Sequence, residues 1–177
     1  ERCREHEAAP FDHLDLWARE HYKSTIITFA HTIQENLQDP ELCHLILSHN
    51  EKVSKGFLRQ IKNEYEMNPR LHQLYPEVVW KNPSVEAPKW SENEGIVLKR
   101  KLNAKEPTVG QCGLVDGLPV SHHYDRLNYD DVVTDKSVGT TEMIEKTTDA
   151  FRHSISLGKR RSEGGRRKGI GTRYHNN

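Results

Sequence analysis

A buried strand bracketed by two amphipathic helices constrains the fold of this chain more than any other feature. The run Leu42–Leu47 is almost continuously apolar, as expected for a strand covered on both faces. A helical pattern precedes it from Lys23 to about Leu37, and a second one follows from Glu51 to Met67. With a first strand predicted over Phe11–Trp17, strands and helices alternate along the chain. This order indicates βαβ units and a parallel sheet with right-handed crossovers.

The rest of the chain adds further strands and one more helix. We predict strands at Ile96–Leu98 and Thr108–Leu114, arranged as a hairpin-like excursion. A helix is expected from Thr140 to Leu157, with Gly158 as its C-cap, and a final strand over Gly169–His175. The sequence therefore predicts one α/β domain over residues 11–177, preceded by a charged, frayed connector over residues 1–10. Its expected architecture is a central, mostly parallel β-sheet with helices on both faces.

Composition narrows the function classes only a little. The 26 basic and 26 acidic residues give a formal net charge of zero, so overall charge does not indicate a nucleic-acid partner. The three cysteines are widely spaced and odd in number, which argues against a disulfide framework and favours a reducing compartment. No apolar run approaches the roughly 20 residues that a membrane-spanning helix needs, so we expect no membrane contact.

The segment Trp17–Thr25 has the layout of a phosphate-binding loop. Apolar residues precede it, and Lys23-Ser24-Thr25 opens the first helix. In such loops backbone N–H groups face the phosphates, a lysine reaches the β and γ oxygens, and a hydroxyl binds Mg²⁺. The usual motif places glycines where this chain has Trp17 and Tyr22. Taken alone, Lys-Ser-Thr is more often simply the exposed start of an amphipathic helix.

Two adjacent carboxylates follow a strand-like run about a hundred residues later. Tyr124–Val133 predicts a short strand that carries Asp130 and Asp131, with extended chain on both sides of the acids. A nucleotide hydrolase needs one acid to organise Mg²⁺ and a second to polarise the attacking water. At the carboxyl end of a strand, both acids would lie near a phosphate loop on a neighbouring parallel strand. The alternative is a simple turn, since Asp-Asp is common in turns.

In this order, these motifs resemble the ATPase domain of the large terminase subunit, the DNA-packaging motor of tailed bacteriophages. The resemblance is carried by Arg19–Thr25, by the helix Phe57–Lys62, by Tyr124–Val133 with its paired aspartates and by Gly171–His175, which is similar to the family's coupling motif. It covers nearly all of residues 11–177. It implies a P-loop NTPase core with ATP and Mg²⁺ as cofactors.

The resemblance also implies a role for each matching residue. The nucleotide would be bound by the loop residues Arg19, Glu20, His21, Tyr22, Lys23, Ser24 and Thr25. Within that loop, Lys23 would bind the β and γ phosphates, and Arg19 would act as a trigger on the γ-phosphate. Ser24 and Asp130 would hold Mg²⁺.

Catalysis would then fall to Asp131 as the base, where the wider family usually has glutamate. Thr172 in the coupling motif would sense the γ-phosphate.

The partners implied by the resemblance are double-stranded DNA, the portal protein, the small terminase subunit and further copies of the chain in a ring. The place of action would be the host cytoplasm, at the procapsid. The chain begins with Glu1 rather than Met, and we expect it to be a piece of a longer protein. The family's nuclease domain would follow the coupling motif and is absent from these residues.

Two other functions remain open from the sequence. Tyr22 in place of a glycine favours a non-hydrolysing P-loop domain kept for assembly, and a helicase-like nucleic-acid ATPase would share the same core. Residues 159–173 hold seven Lys or Arg against the single acid Glu163. Such a segment can contact DNA phosphates or supply an arginine to a neighbouring subunit. We favour a solvated mobile loop for residues 159–168.

Overall fold

The computed structural model describes residues 2–8, 12–18 and 20–172, which form an α/β structure around one seven-stranded sheet. The strand order is β1-β7-β6-β2-β5-β4-β3. Neighbours from β1 through β5 in that order are parallel, and β3 and β4 are antiparallel additions at one side. The strands are β1 (His13–Trp17), β2 (His44–Ser48), β3 (Trp90–Ser91), β4 (Gly95–Ile96), β5 (Val109–Gly113), β6 (Arg126–Asp130) and β7 (Arg166–Thr172).

Among the described residues, one helix precedes the first strand and five lie between strands, not counting short 3₁₀ turns. Helix α2 is continuous but changes its winding: it is π-helical over Ser24–His31 and α-helical over Thr32–Gln38. The others are α1 (Arg2–Ala8), α3 (Glu51–Met67), α4 (Pro69–Leu74), α5 (Pro83–Glu86) and α6 (Thr141–Ser154). Residues 1–10, predicted as a connector, thus contain α1. No helix in the described part of the chain has the length and apolar character needed to cross a membrane.

Local sequence signals set the bounds of the longer helices as predicted. Helix α3 begins after Asn50, whose side chain accepts a hydrogen bond from the Val53 amide at 3.0 Å, and it ends before Asn68-Pro69. Helix α6 is capped by Thr140 in the same way. It ends at Ser154, and one 3₁₀ turn carries the chain to an extended Gly158 rather than to the left-handed cap that we expected.

Helices cover both faces of the sheet, as predicted for a buried parallel arrangement. Strand β2 is buried along its whole length, and its alternate residues enter two different apolar clusters. Ile46 packs in one cluster with Ile33 of α2 and Leu58 of α3. Leu47 belongs to the other cluster, against which Ala150 of α6 packs. The mostly parallel α/β architecture is therefore confirmed.

The prediction of a loop from Lys159 to Lys168 was wrong at its carboxyl end. Strand β7 begins at Arg166, and Lys168 is only 5% exposed. Its charge is tolerated inside because Lys168 Nζ lies 2.6 Å from Glu35 Oε2. The flanking cations are also paired, Lys159 with Asp125 at 2.7 Å, so this part of the chain is anchored rather than freely solvated.

The strand order also differs from the expected neighbour relation. Strand β7 lies between β1 and β6, so the loop after β1 and the acids at the end of β6 belong to strands that are not adjacent. Strand β6 ends at Asp130, and Asp131 turns the chain with φ = +43°. The strand predicted to carry both acids thus ends at the first of them.

A polar layer lies between α2 and strands β6 and β7. Glu35 of α2 accepts hydrogen bonds from Arg126 Nε at 2.9 Å and from Lys168 Nζ at 2.6 Å. Burial alone would raise the pKa of Glu35, but its polar and charged neighbours, His31 and Lys168 among them, hold that pKa well below its usual range. Burial lowers the pKa of Lys168 to about 8.

His44 at the start of β2 makes the domain acid-labile. The side chain is fully buried, and burial lowers its pKa from 6.5 to about 3. Between these values the unfolded chain binds a proton that the folded chain does not, so stability falls as pH falls from 6.5 towards 3. We expect a loss of roughly 2–3 kcal/mol in the free energy of unfolding between pH 6.5 and 4.5.

Urea unfolding at a series of pH values measures this loss. The variant His44→Gln removes the titrating group and should flatten the pH dependence between 6.5 and 4.5. His123→Gln, at an exposed histidine, is the matched control and should keep the wild-type slope. An unchanged slope in His44→Gln would contradict the assignment.

Candidate functional site

Side chains from three elements meet at the carboxyl end of the parallel strands. The start of α2 supplies Lys23 and Ser24, the end of β6 supplies Asp130 and Asp131, and the end of β7 supplies Thr172. Each element reaches this edge because parallel strands share a direction and because α2 starts just after β1. The five residues selected from the sequence are therefore brought together, although up to 149 positions separate them.

Lys23 links the two strands that carry the other groups. Its ammonium donates to Asp131 Oδ2 at 2.6 Å and to Thr172 Oγ1 at 2.9 Å. The Thr172 hydroxyl in turn donates to Asp131 Oδ1 at 3.0 Å. The Lys23 side chain is 11% exposed and that of Asp131 30%, so the ion pair is close to solvent but not free in it. A ligand oxygen that enters here can compete with Asp131 for the ammonium.

Asp130 faces the first turns of α2 instead. Ser24 Oγ donates to Asp130 Oδ1 at 2.9 Å, and Thr28 Oγ1 donates to Asp130 Oδ2 at 2.5 Å. Asp130 is 2% exposed. Burial raises its pKa above the ordinary value, against the opposing effect of these two hydrogen bonds. The negative charge on Asp130 is therefore held at a cost that a nearby cation would relieve.

Sequence reasoning missed Thr28 as a member of this group. It lies four residues after Ser24, and residues four apart occupy the same face of a helix. A second hydroxyl at that spacing was the available signal. It was overlooked because a buried threonine in an apolar helix face is ordinarily a packing residue.

Strained backbone accompanies the site. Four non-glycine residues in the described part of the chain have positive φ, and three of them lie here: Glu20 at +66°, Tyr22 at +55° and Asp131 at +43°. Such conformations cost energy and persist mainly where the surroundings impose them, often at functional sites. Tyr22 occupies the position where the usual motif has glycine, and the backbone adopts the left-handed conformation that glycine would favour.

The variant Tyr22→Gly should therefore not destabilise the protein. The Tyr22 side chain is 75% exposed, so little packing is lost. Relief of the left-handed strain, worth about 1–2 kcal/mol, outweighs the entropy cost of glycine of about 0.5–1 kcal/mol. We expect the free energy of unfolding to stay unchanged or rise by up to about 1 kcal/mol in urea titrations.

Gln60→Gly is the matched control for that experiment, because Gln60 is exposed and lies in the interior of α3. It should lose about 1 kcal/mol, the ordinary cost of glycine in a helix. Equal losses in the two variants would show that Tyr22 is not held in a strained conformation.

The other residues of the predicted phosphate loop do not take part in the hydrogen bonds described above. Glu20, His21 and Thr25 are exposed. Arg19, predicted to contact a γ-phosphate, lies outside the described residues, as do Arg173–His175 of the predicted coupling motif. The structure thus describes the lysine, the hydroxyl groups and the acids of the predicted nucleotide site, but not the predicted arginine.

The oxygen atoms around Asp130 fit a small divalent cation. Mg²⁺ takes oxygen ligands, commonly one or two protein groups completed by water and substrate phosphate. Ser24 Oγ and Asp130 Oδ1, 2.9 Å apart, offer such a partial set. A cage made by the protein alone is not present: within the described ranges, no three His, Cys, Asp or Glu side chains cluster as metal ligands.

An apolar groove of about 520 Å³ borders the site. Asp131 and Thr172 form part of its lining, which continues over Leu14 and Leu16 of β1 to Phe151 of α6. The two leucines are 67% and 58% exposed. Among the described residues, no element therefore covers this apolar face of β1.

Comparison with protein-family models finds no match to this sequence, and comparison with curated proteins finds none either. Any functional conclusion depends on the site itself.

Proposed function

We propose that this chain is a Mg²⁺-dependent ATP hydrolase with a P-loop NTPase core. The observation that carries the proposal is the set of hydrogen bonds that joins Lys23, Ser24, Asp130, Asp131 and Thr172 at one edge of the sheet. A lysine and hydroxyl at a helix start, opposite paired acids, is what phosphoryl transfer requires. A structural ion pair alone would not need a strained backbone at Asp131.

In the proposed reaction, Lys23 leaves Asp131 and binds the β and γ phosphates. The free carboxylate of Asp131 then orients a water molecule and accepts its proton as the water oxygen attacks the γ-phosphorus. The bond from phosphorus to the bridging oxygen breaks, and ADP leaves. Ser24 and Asp130 would hold Mg²⁺, which supplies charge stabilisation to the phosphates when bound. Thr172 contacts both Lys23 and Asp131, so its hydrogen bonds would change when Lys23 moves to the phosphates, and this change would be transmitted to β7.

We further propose the biological setting that the sequence resemblance implies, a motor domain of a phage large terminase. Arg19 would then contact the γ-phosphate. The partners would be double-stranded DNA, the portal protein, the small terminase subunit and neighbouring copies in a ring, in the host cytoplasm. The support is the ordered motif set in the sequence together with the geometry of the site.

A second candidate is a weakly hydrolysing or non-hydrolysing assembly domain. The observation that favours it is the apolar groove with its exposed Leu14 and Leu16, since exposed apolar surface of this kind commonly marks a contact with another protein. Nucleotide binding without turnover would support this candidate over the hydrolase.

Nucleotide binding and turnover by the wild type and by Lys23→Met test the proposal. The variant keeps the length of the side chain but removes the ammonium. We expect Mg²⁺·ATP affinity to fall about ten- to hundredfold, the value of a charge-assisted hydrogen bond. Lys52→Met, at an exposed lysine of α3, is the matched control and should bind like the wild type. Absence of nucleotide binding by the wild type, or equal affinity in Lys23→Met, would overturn the proposal.

A further inference from the structure

Helix α2 contacts strand β6 through polar side chains, whereas helices usually pack on sheets through apolar ones. The first rung of this contact is the pair of hydrogen bonds from Ser24 and Thr28 to Asp130. In the second rung, Asn128 Nδ2 donates to Thr32 Oγ1 at 3.2 Å. Thr28, Thr32, Asn128 and Asp130 are all at most 3% exposed.

The third rung is centred on Glu35. Arg126 Nε donates to Glu35 Oε1 at 2.9 Å, and Lys168 of β7 donates to Glu35 Oε2 at 2.6 Å. Lys168 also lies 3.0 Å from His31 Nδ1. We call these three rungs the polar ladder. Its last rung differs from the others because it joins α2 to two strands at once.

The spacing of the ladder follows from the geometry of the two elements. Four residues of a helix advance about 6 Å, and two residues of a strand about 6.6 Å. Thr28, Thr32 and Glu35 of α2 therefore keep step with the alternate β6 residues Asp130, Asn128 and Arg126. A slide of α2 by one residue would break every rung together, whereas an apolar contact would adapt.

The ladder is an expensive way to attach a helix. Burying charged groups costs free energy that apolar residues of similar size would not. His44 Nε2 and Asn128 Oδ1, next to the ladder, are buried without a hydrogen-bond partner among the described residues. What polar contacts provide in return is a single, defined register.

We propose that Glu35 is a positioning residue of the hydrolytic site. It lies 11 residues after Ser24, towards the opposite end of α2. By tying α2 to both β6 and β7, it fixes the start of α2 against the two strands that carry Asp130, Asp131 and Thr172. The inference rests on the proposed function, because positioning matters only if these groups act on a nucleotide.

The variant Glu35→Gln, which keeps the shape and removes the charge, tests this inference. We expect kcat for ATP to fall about ten- to hundredfold, since small displacements of reacting groups have effects of that size, while KM changes by less than about threefold. Amide hydrogen exchange over residues 24–28 should become faster. Glu92→Gln is the matched control. Glu92 forms an exposed ion pair with Arg59 near β3 and β4, at the edge of the sheet opposite β1, and its loss should change neither kcat nor hydrogen exchange.

A double variant separates positioning from general destabilisation. Effects of sites more than about 10 Å apart normally add. If Glu35 acts through the ladder, combining Glu35→Gln with Thr28→Val should cost less kcat than the product of the single losses. If Glu35→Gln does not fold, Thr32→Val removes the middle rung without leaving a buried charge and should show the same loss of kcat and faster exchange.

Each outcome decides the inference. If the wild type hydrolyses ATP and Glu35→Gln has the wild-type kcat and the wild-type rate of hydrogen exchange, the positioning role of Glu35 is overturned. The proposed function is then unaffected. Absence of turnover in the wild type refutes the proposed function. Hydrogen exchange in Glu35→Gln then tests only whether Glu35 fixes the start of α2. Faster exchange over residues 24–28 supports that role, and unchanged exchange overturns it.

Discussion

Replacing Asp131 by asparagine is expected to slow ATP hydrolysis about a thousandfold, within the range measured for loss of a general base. Asparagine has nearly the same shape, and it tolerates the positive φ found at this position. The fold should therefore survive. The affinity for Mg²⁺·ATP should hold or rise, because Lys23 no longer has a carboxylate 2.6 Å away that competes with the phosphates. Single-turnover kinetics and equilibrium nucleotide binding measure the two effects separately.

Asp135→Asn provides the comparison for that variant, since Asp135 is exposed and lies four residues further along the same loop. It should hydrolyse ATP at the wild-type rate. Asp131→Glu restores a carboxylate and should recover most of the lost rate. Parallel losses of binding and hydrolysis in Asp131→Asn would instead indicate damage to the loop, and an unchanged rate would remove Asp131 from the mechanism.

The fold was predictable wherever a local signal sets it. The approximate bounds predicted for helix α3 are confirmed, because a capping asparagine starts the helix and Asn68-Pro69 stops it. Strand β2 was recognisable because its centre, Leu45–Leu47, is the continuous apolar run typical of a strand buried on both faces. Strand β7 was predicted only in part: its beginning at Arg166 was missed, since its Lys168 is paired with Glu35, a residue 133 positions away that no local pattern reveals. The position of β7 between β1 and β6 likewise depends on contacts between residues far apart in the sequence.

The residues of the candidate site likewise fall into two groups, those that the sequence identifies and those that only the assembled fold reveals. The sequence marks Lys23, Ser24, Asp130, Asp131 and Thr172 because the proposed chemistry would require those residue types, and the structure brings the five residues together. Thr28 and Glu35 carry no such mark. Their importance depends on the face of α2 that meets β6, and this is decided only when the sheet is assembled.

Asp130 shows how the site trades stability for chemistry. Its carboxylate is almost fully buried, and burial raises its pKa, so the folded protein holds a negative charge where a neutral group would be easier to keep. Ser24 and Thr28 donate to it, but hydroxyl groups can equally accept. An amide at position 130 could therefore keep both hydrogen bonds without the charge. Functional residues commonly limit stability in this way.

The variant Asp130→Asn should consequently be at least as stable as the wild type in metal-free buffer, yet hydrolyse ATP about a hundred- to a thousandfold more slowly, because several kcal/mol of metal-assisted charge stabilisation are lost. Urea unfolding measures the first effect, and hydrolysis across a Mg²⁺ titration the second. Asp116→Asn is the matched control: this exposed acid accepts the Glu51 amide at 2.7 Å, an interaction that asparagine retains. It should leave both measurements unchanged. Normal Mg²⁺-dependent hydrolysis by Asp130→Asn would exclude Asp130 as a metal ligand, whereas a large loss of stability would mean that the charge, and not only the shape, holds α2 in place.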